Sequence, residues 1–158
     1  LQWPCPSPEH PGTPILHAGG AARGLGRFSP APWRPSAEQP DADYPLVLMT
    51  GRVLAQYNAC AMTGRTPGLN AMAGTSFIEL NDRDGAELGV ADGDRVQVSS
   101  RRGMLVTTAR VSDKTRPGEA WMPFHFQDGN SNLLTIAALD PISHAPEYKA
   151  CAVRVERA

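Results

Sequence analysis

Short segments with the pattern of β-strands recur from residue 44 to the end of the chain, and turns rich in Gly, Pro and Asp separate them. A brief apolar run between turn residues is typical of a buried strand, and alternation of apolar and polar side chains is typical of a half-buried one. About six or seven strands and two or three short helices can be placed in this way. The pattern predicts a mainly β fold with short helices (α+β), closed into a barrel.

The predicted strands are 46–49, 77–81, 95–100, 104–111, 120–126 and 149–156. Arg101-Arg102-Gly103 joins the third and fourth of these strands as a hairpin, and we expect both arginines to be solvated. Pro lacks the backbone N–H that a strand donates to its neighbour. Pro123 should therefore confine its strand to a sheet edge or a bulge.

Three short helices are predicted between the strands. Asn81 is a suitable N-cap, and the helix that it starts should stop at Gly89. The other two helices are predicted at 53–62 and at 133–139.

Residues 1–43 are dense in Pro and Gly and are predicted to form an extended connecting segment, followed by a barrel domain at 44–158. This composition disfavours helices and central strands. Trp3, Phe28 and Trp33 lie within the segment and would need a surface to pack on. Such a requirement favours a segment that is ordered inside a larger protein over a free linker.

Composition argues against several classes of function. The 158 residues suffice for one domain with a hydrophobic core, and a net charge of −1 disfavours nucleic-acid binding, which requires a basic surface. No apolar run approaches the roughly 20 residues that span a bilayer. The cysteines and histidines show no metal-ligand spacing, which predicts reduced thiols and no protein metal site. They are Cys5, Cys60, Cys151, His10, His17, His125 and His144.

The turn Thr50-Gly51-Arg52 directly follows the first apolar run. Backbone N–H groups and guanidinium donors converge at such a turn, which makes it suitable for a phosphorylated ligand. An ordinary corner between a strand and a helix is the alternative interpretation. The chain contains neither the Gly-x-Ser-x-Gly elbow of serine hydrolases nor the Gly-rich phosphate loops of common nucleotide-binding folds.

A larger set of motifs follows in order along the chain: Tyr44-Pro-Leu-Val-Leu-x-Thr-Gly-Arg52, Gln56-Tyr-Asn58, Met62-Thr63, Leu88-Gly-Val-x-Asp-Gly-Asp94, Pro123-Phe-His-Phe126, Asn132-Leu-Leu-Thr135 and Pro146-Glu-Tyr-Lys149. Together they resemble the carboxyl-terminal domain of the molybdenum- or tungsten-dependent oxidoreductases that bind bis(molybdopterin guanine dinucleotide). Within that family the chain is most similar to the catalytic (alpha) subunit of formate dehydrogenase. The resemblance covers essentially the whole chain.

The resemblance implies a six-stranded double-psi β-barrel that caps the dinucleotide cofactor. The positions that match the family's binding loops are Thr50, Gly51, Arg52, Gln56, Asn58, Met62, Thr63, His125, Asn132, Tyr148 and Lys149. Arg and Lys suit pyrophosphate or pterin oxygens, while Asn, Gln and Thr can satisfy pterin and guanine edges. Many relatives have His where Gln56 stands, so the sequence departs from the family pattern at this position.

The resemblance also implies that the parent enzyme oxidises formate to carbon dioxide and two electrons. Its metal ligand, proton-handling residues and iron–sulfur cysteines would lie in upstream domains. The segment itself should therefore hold no iron–sulfur site and no catalytic residue, and should be inactive in isolation. Expected partners are the upstream domains and electron-transfer subunits, with no nucleic acid and no membrane segment.

Two alternatives remain open from the sequence. One is the same domain of a nitrate reductase or another molybdopterin oxidoreductase, and the other is a free-standing β-barrel that binds protein partners. The chain begins with Leu1, so we expect it to be part of a longer protein. The cytoplasm is the predicted compartment, and the periplasm is the alternative because a signal peptide could lie upstream.

Overall fold

The computed structural model describes residues 3–21 and 23–158, which form two compact units. The first unit ends at Arg34, and its described residues form turns and bends without a helix or strand. Trp3, Phe28 and Trp33 are exposed within it. The second unit is Pro35–Ala158, so residues 35–43 group with the barrel that follows them.

The second unit is built on six strands that form one closed barrel in the order β1-β5-β2-β4-β3-β6. The strands are β1 Leu46–Gly51, β2 Phe77–Asn81, β3 Arg95–Ser99, β4 Met104–Ser112, β5 Glu119–Pro123 and β6 Ala150–Arg157. β1 pairs with β5 in parallel, as β2 does with β4, and the other four pairings are antiparallel. This arrangement confirms the predicted six-stranded double-psi barrel with short helices.

Alternating side chains of the six strands fill the barrel. In β1, Leu46 and Leu48 are buried, and in β3, Val96 and Val98 are buried. This is the period of two that the sequence pattern predicts for a strand with one face in the core. Other core residues are Ile78, Leu80, Leu105, Ala109, Ala120, Met122, Cys151, Val153 and Val155.

The position of Pro123 corrects one prediction. A closed barrel has no edge strand, and Pro123 is the last residue of β5, where it lies opposite Gly51 at the end of the parallel ladder. The missing N–H is tolerated there because the strand ends at that residue. The predicted strand 120–126 is consequently shorter than expected, and Phe124, His125 and Phe126 belong to the loop that follows.

Two short helices lie outside the barrel: α1 at Pro67–Met72 and α2 at Asp82–Leu88. α2 confirms the predicted N-cap, since the Asn81 side chain accepts a hydrogen bond from the Arg83 N–H at 3.0 Å. It ends at Gly89, whose φ of 66° is in the left-handed region that favours glycine. Across residues 3–21 and 23–158, no helix combines the length and apolar character needed to cross a bilayer.

Asn81→Ala should lower the free energy of unfolding by about 1–2 kcal/mol. The Asn81 side chain caps α2 and also donates from Nδ2 to the Thr115 carbonyl at 2.6 Å, and the residue is buried. Urea denaturation of the 158-residue chain measures the change. Asn81→Ser is the matched control, because its hydroxyl keeps a capping acceptor and loses the bond to Thr115 without adding a charge at this buried position. The free energy of unfolding of this control should therefore lie between those of the wild type and Asn81→Ala. Equal losses in the two variants would contradict the capping role.

The other two predicted helices are wrong. Residues 53–62 form consecutive turns, with Asn58 and Cys60 at φ values of 45° and 58°. Left-handed residues interrupt a right-handed helix. The N–H groups of this segment also bond elsewhere, that of Val53 to His125 and that of Tyr57 to Thr63 Oγ1. In place of the helix predicted at 133–139 there is only a 3₁₀ turn at Ser131–Leu133.

Both arginines at the hairpin tip are exposed, as predicted, but they also form ion pairs that the sequence did not indicate. The Arg102 guanidinium donates to the Glu38 carboxylate, with Nη2 at 2.8 Å from Oε2, and to the Leu134 carbonyl at 2.7 Å. Arg101 also reaches Glu38, at 3.1 Å. Glu38 Oε2 also accepts the Ala152 N–H at 2.8 Å. Glu38 thus connects the segment before β1 to the hairpin tip and to β6.

Candidate functional site

Three loops meet at one end of the barrel. β1 and β5 are parallel and end side by side, with Gly51 opposite Pro123, so the segments that begin at Arg52 and Phe124 leave from the same end. β6 is antiparallel to β1, and its first residue, Ala150, lies opposite Met49. The segment that leads into β6 therefore arrives at this same end.

A cavity of about 550 Å³ lies among these loops. Four of the eleven predicted site residues line it: Arg52, Asn58, Asn132 and Tyr148. They come from three stretches that are far apart in the sequence. The remaining lining residues are Ala59, Phe124, Thr135 and Pro146.

Arg52 is held in one orientation at the cavity. Its Nε and Nη2 donate to Asn58 Oδ1 at 3.2 and 3.0 Å, and its guanidinium carbon lies 5.0 Å from the centre of the Phe124 ring. A guanidinium has five N–H donors, so this arrangement leaves others for a ligand. These contacts place the Arg52 guanidinium on the cavity wall.

A second cation lies beside the same aromatic group. Lys149 Nζ is 5.4 Å from the centre of the Phe124 ring and 5.1 Å from that of Tyr148, and the two rings meet edge to face at 5.8 Å. Among the described residues, no carboxylate oxygen lies within 4.0 Å of Lys149 or Arg52. Two uncompensated positive charges beside one cavity favour an anionic ligand.

Asn132 also lines this cavity and contributes a side-chain amide. Asn130 caps the 3₁₀ turn by accepting the Asn132 N–H at 3.0 Å, and the Asn132 carbonyl accepts from Thr135 Oγ1 at 3.3 Å. Its side-chain amide forms no hydrogen bond with any part of the chain that the structure describes. An exposed amide with both a donor and an acceptor can pair with the edge of a heterocyclic base.

Thr50 and Gly51 lie at the corner that the sequence indicated, and they support the site without lining the cavity. Buried Thr50 donates from Oγ1 to the Tyr148 carbonyl at 2.7 Å, and its N–H bonds to the Lys149 carbonyl at 3.2 Å. A Cβ at Gly51 would be 2.6 Å from Trp121 Nε1, so a larger residue would require this indole ring to move. These contacts fix the backbone from which Tyr148 and Lys149 extend.

Gln56 is buried and fully occupied by contacts within the chain. Its Nε2 donates to Asn70 Oδ1 at 3.1 Å and to the Ala73 carbonyl at 2.6 Å, and its Oε1 accepts from Cys60 Sγ at 3.3 Å. Gln56 therefore joins the turns after β1 to α1 and does not line the cavity.

Met62 and Thr63 lie in the adjoining turns and also do not line the cavity. Met62 is 70% exposed, a large apolar side chain without a cover in this unit. Thr63 Oγ1 accepts the Tyr57 N–H at 3.1 Å and so stabilises the turn.

His125 is only 3% exposed and uses both ring nitrogens within the chain. Its Nε2 accepts the Val53 N–H at 2.9 Å, and its Nδ1 is hydrogen-bonded to the Asn58 carbonyl. The ring lies between Phe124 and Phe126, with centroid distances of 4.9 and 5.9 Å. It lines a neighbouring cavity of about 380 Å³, next to Cys60 and Arg65, rather than the one beside Arg52.

Four lining residues were not among the predicted site residues: Ala59, Phe124, Thr135 and Pro146. Each has a predicted site residue as its immediate neighbour or lies within three residues of one. Phe124 had the clearest signal, because it stands in the Pro123-Phe-His-Phe126 motif. Its role depends on the distance to Arg52, which sequence spacing does not reveal.

The site contains cations, amides and aromatic faces at the loop end of a closed barrel. This combination suits a ligand with phosphates and a heteroaromatic ring, because phosphates pair with guanidinium or ammonium groups and rings stack on aromatic side chains. Among the described residues, no group of three or more His, Cys, Asp or Glu side chains is placed to hold a metal ion. Fold and donor set together fit a domain that binds a nucleotide cofactor.

The chain belongs to the molydopterin dinucleotide binding domain family, whose model matches residues 46–152. It is 45% identical to the F420-dependent formate dehydrogenase 2 subunit alpha of Methanococcus maripaludis, over 99% of this chain and 24% of that protein. It is 36% identical to formate dehydrogenase H of Escherichia coli, over 99% of this chain and 22% of that protein. It is therefore a molybdopterin dinucleotide-binding domain related to formate dehydrogenase alpha subunits.

Other relatives have a different activity. The periplasmic nitrate reductase of Desulfovibrio desulfuricans is 38% identical over all of this chain and 23% of its own length. Among solved structures, acetylene hydratase from Pelobacter acetylenicus matches 73% of this chain with a TM-score of 0.61 and 18% identity, which shows the shared fold alone. The chain spans about a quarter of the length of the curated relatives that it matches.

Proposed function

We propose that this chain binds a bis(molybdopterin guanine dinucleotide) cofactor as the carboxyl-terminal domain of a formate dehydrogenase-like oxidoreductase. One observation carries the proposal: Arg52, Asn58, Asn132 and Tyr148, which were selected from sequence, line a single cavity. The donor set fits the group, because two cations, two amides and two aromatic rings match pyrophosphate, heterocycle edges and ring faces.

In this proposal each side chain has a distinct task. Arg52 and Lys149 bind phosphate or pterin oxygens, and Asn58 and Asn132 pair with the edges of the heterocycles. Phe124 and Tyr148 offer faces for stacking. The bound molybdenum or tungsten would supply the two-electron chemistry, while this chain's residues bind and orient the cofactor.

The other predicted residues take supporting positions. Thr50, Gly51, Gln56 and His125 hold the loops through contacts inside the chain. Met62 and Thr63 lie outside the cavity, and their contact with a part of the cofactor shared with upstream domains stays a prediction.

The whole protein is proposed to oxidise formate to carbon dioxide and two electrons, since formate dehydrogenase subunits are among the relatives that match nearly the whole chain. The catalytic residues and any iron–sulfur centres would lie upstream, so the isolated chain should show no turnover. Its partners would be the upstream domains and electron-transfer subunits, in the cytoplasm or alternatively in the periplasm.

The open reading frame upstream of Leu1 tests this proposal. Several hundred residues with a Cys-rich amino-terminal cluster site would support it, and a start codon close to Leu1 would contradict it.

Binding is tested by titrating guanosine diphosphate, as a probe for the guanosine pyrophosphate half of the cofactor, into the ¹⁵N-labelled 158-residue chain. We expect shifts at the resonances of Arg52, Asn132 and Lys149. Arg52→Met should weaken binding about tenfold, because charge-assisted hydrogen bonds to phosphate are lost. Arg83→Met is the matched control, since Arg83 is an exposed arginine on α2 that lines none of the cavities described. Absence of shifts at all three residues, or equal losses in the two variants, would overturn the assignment of the site.

A further inference from the structure

The loop after β1 carries three of the residues that line the cavity, Arg52, Asn58 and Ala59, but has little regular structure to hold it. Residues 53–62 are turns, and Asn58 has a left-handed φ of 45°. Asn adopts this region more readily than most residues, but the conformation still costs energy relative to a right-handed one, so contacts around Asn58 stabilise it. The contacts that hold Asn58 therefore determine where the bonded Arg52 guanidinium lies.

His125 lies outside this loop and forms hydrogen bonds both to its start, at Val53, and to its middle, at Asn58. It accepts from the Val53 N–H and is hydrogen-bonded to the Asn58 carbonyl, and it is almost fully buried. The loop's other bonds, such as that from Tyr57 to Thr63, come from within the 52–73 region. His125 follows β5, so its position is set by the barrel.

The partners of the imidazole select one protonation form. A backbone N–H can only donate, so Nε2 must carry a lone pair, whereas a carbonyl can only accept, so Nδ1 must carry the proton. A ring with protons on both nitrogens would direct an N–H at the Val53 N–H. The structure thus assigns the neutral Nδ1–H form.

His125, Asn58, Arg52 and Phe124 form a ring of contacts at the cavity wall. His125 bonds to the Asn58 carbonyl, Asn58 Oδ1 accepts from the Arg52 guanidinium, and that guanidinium lies 5.0 Å from the Phe124 ring. Phe124 is the chain neighbour of His125. The position of the Arg52 guanidinium therefore depends on where β5 ends, although His125 itself does not line the cavity beside Arg52.

We propose that His125 is a positioning residue for anion recognition, which acts through Asn58 to orient the Arg52 guanidinium and does not itself contact the ligand. The proposal rests on the proposed function of the cavity as a phosphate-binding site. It assigns His125 a role that differs from that of Arg52 and Lys149. The Nδ1–H to Asn58 bond is the more important of its two bonds, because Asn58 directly holds Arg52.

Two conservative variants separate the two bonds. The amide nitrogen of Asn can replace Nδ1, so His125→Asn keeps a donor for the Asn58 carbonyl and loses the acceptor for Val53. The amide of Gln reaches the Nε2 position, so His125→Gln keeps an acceptor for Val53 and loses the donor for Asn58. His125→Phe removes both bonds while retaining a ring.

Titration of guanosine diphosphate into the labelled chain and its variants tests the proposal. We expect His125→Phe to weaken binding about tenfold and His125→Asn to recover to within about threefold of wild type, with His125→Gln remaining weaker. Equal affinities for the Asn and Gln variants would overturn the proposal. The His125→Phe variant could fail to fold, so the proposal is decided by comparing the affinities of His125→Asn and His125→Gln. The amide resonances of the strands first show that both of these variants are folded.

Nitrogen spectra of the imidazole provide a readout that is independent of affinity. In the ligand-free chain, His125 should show a protonated Nδ1 and an unprotonated Nε2, and neither should change its protonation on addition of guanosine diphosphate. The Arg52 Nε–H should exchange with solvent faster in His125→Gln than in His125→Asn. A proton on Nε2 in place of Nδ1 would overturn the positioning role. Loss of the hydrogen bond between Val53 and His125 on addition of guanosine diphosphate would also overturn it. If wild type binds no guanosine diphosphate, the proposed function fails, and the tautomer and the Arg52 exchange rates still decide the inference on His125.

Discussion

Glu38→Ala should lower the free energy of unfolding by about 2–3 kcal/mol. The change removes a carboxylate whose side chain is only 12% exposed and which accepts from Arg101, Arg102 and the Ala152 N–H. Hydrogen bonds to charged groups contribute about 1.5–3 kcal/mol, and removal of one partner leaves the others unsatisfied. Urea denaturation followed by tryptophan fluorescence measures the difference.

Asp43→Ala is the matched control for this variant. Asp43 is an exposed carboxylate in the same segment before β1, and its side chain is in none of the ion pairs of the described chain. Its replacement should change stability by no more than about 0.5 kcal/mol. Similar losses for the two variants would show that net charge, and not the Glu38 contacts, stabilises this end of the barrel.

The contribution of Glu38 should depend on pH. The hydrogen bond from the Arg102 guanidinium, with the N–H of Ala152, holds the pKa of the Glu38 carboxyl below its usual value of 4.5, against the opposing effect of burial. A carboxyl whose pKa is lowered by folding stabilises the protein above its unfolded pKa and loses this contribution as the pH falls through its folded pKa. The stability difference between wild type and Glu38→Gln should therefore be constant above about pH 5 and shrink below pH 4.5. A difference that stays unchanged down to pH 2 would contradict the ionic role.

Leu48→Ala should lower the free energy of unfolding by about 2–5 kcal/mol. Leu48 is completely buried in the middle of β1, where it lies opposite Ala120 of β5 and Cys151 of β6. Both neighbours are small, so little side-chain volume is available to fill the cavity that the substitution leaves. Chemical denaturation of the 158-residue chain measures the loss.

Val106→Ala provides the comparison for Leu48→Ala. Val106 is 42% exposed on β4, so its truncation removes methyl groups that water already reaches. We expect a loss of about 0.5 kcal/mol or less, which reflects mainly strand preference. Comparable losses at the two positions would show that the interior of the barrel is not packed around β1.

Most strands could be predicted because their signal is local. The alternation in residues 95–99 and the apolar run at 46–49 depend only on neighbours in the sequence, and the cap at Asn81 and the turn at Gly89 are equally local. The helix predicted at 53–62 failed for the opposite reason. Its backbone is held by partners more than 60 residues away, notably His125, and these partners override local preference.

The site shows the same division. Arg52, Asn58, Asn132 and Tyr148 could be selected from motifs in order along the chain, and the structure brings them to one cavity. Nothing in the spacing of the sequence distinguished them from Gln56 and His125, whose polar atoms are used inside the chain. Only the three-dimensional arrangement separates side chains that are free to meet a ligand from those that hold the loops.

The sequence by itself determined the strands, the turns between most of them and the family to which the chain belongs, because these follow from short-range patterns and from residue identities. Only the tertiary structure decided that β5 lies between β1 and β2, that Glu38 is bound by Arg102, and that Phe124 lies beside both Arg52 and Lys149. These contacts join residues far apart in the chain. Their formation depends on barrel closure, which satisfies the backbone hydrogen bonds of all six strands together.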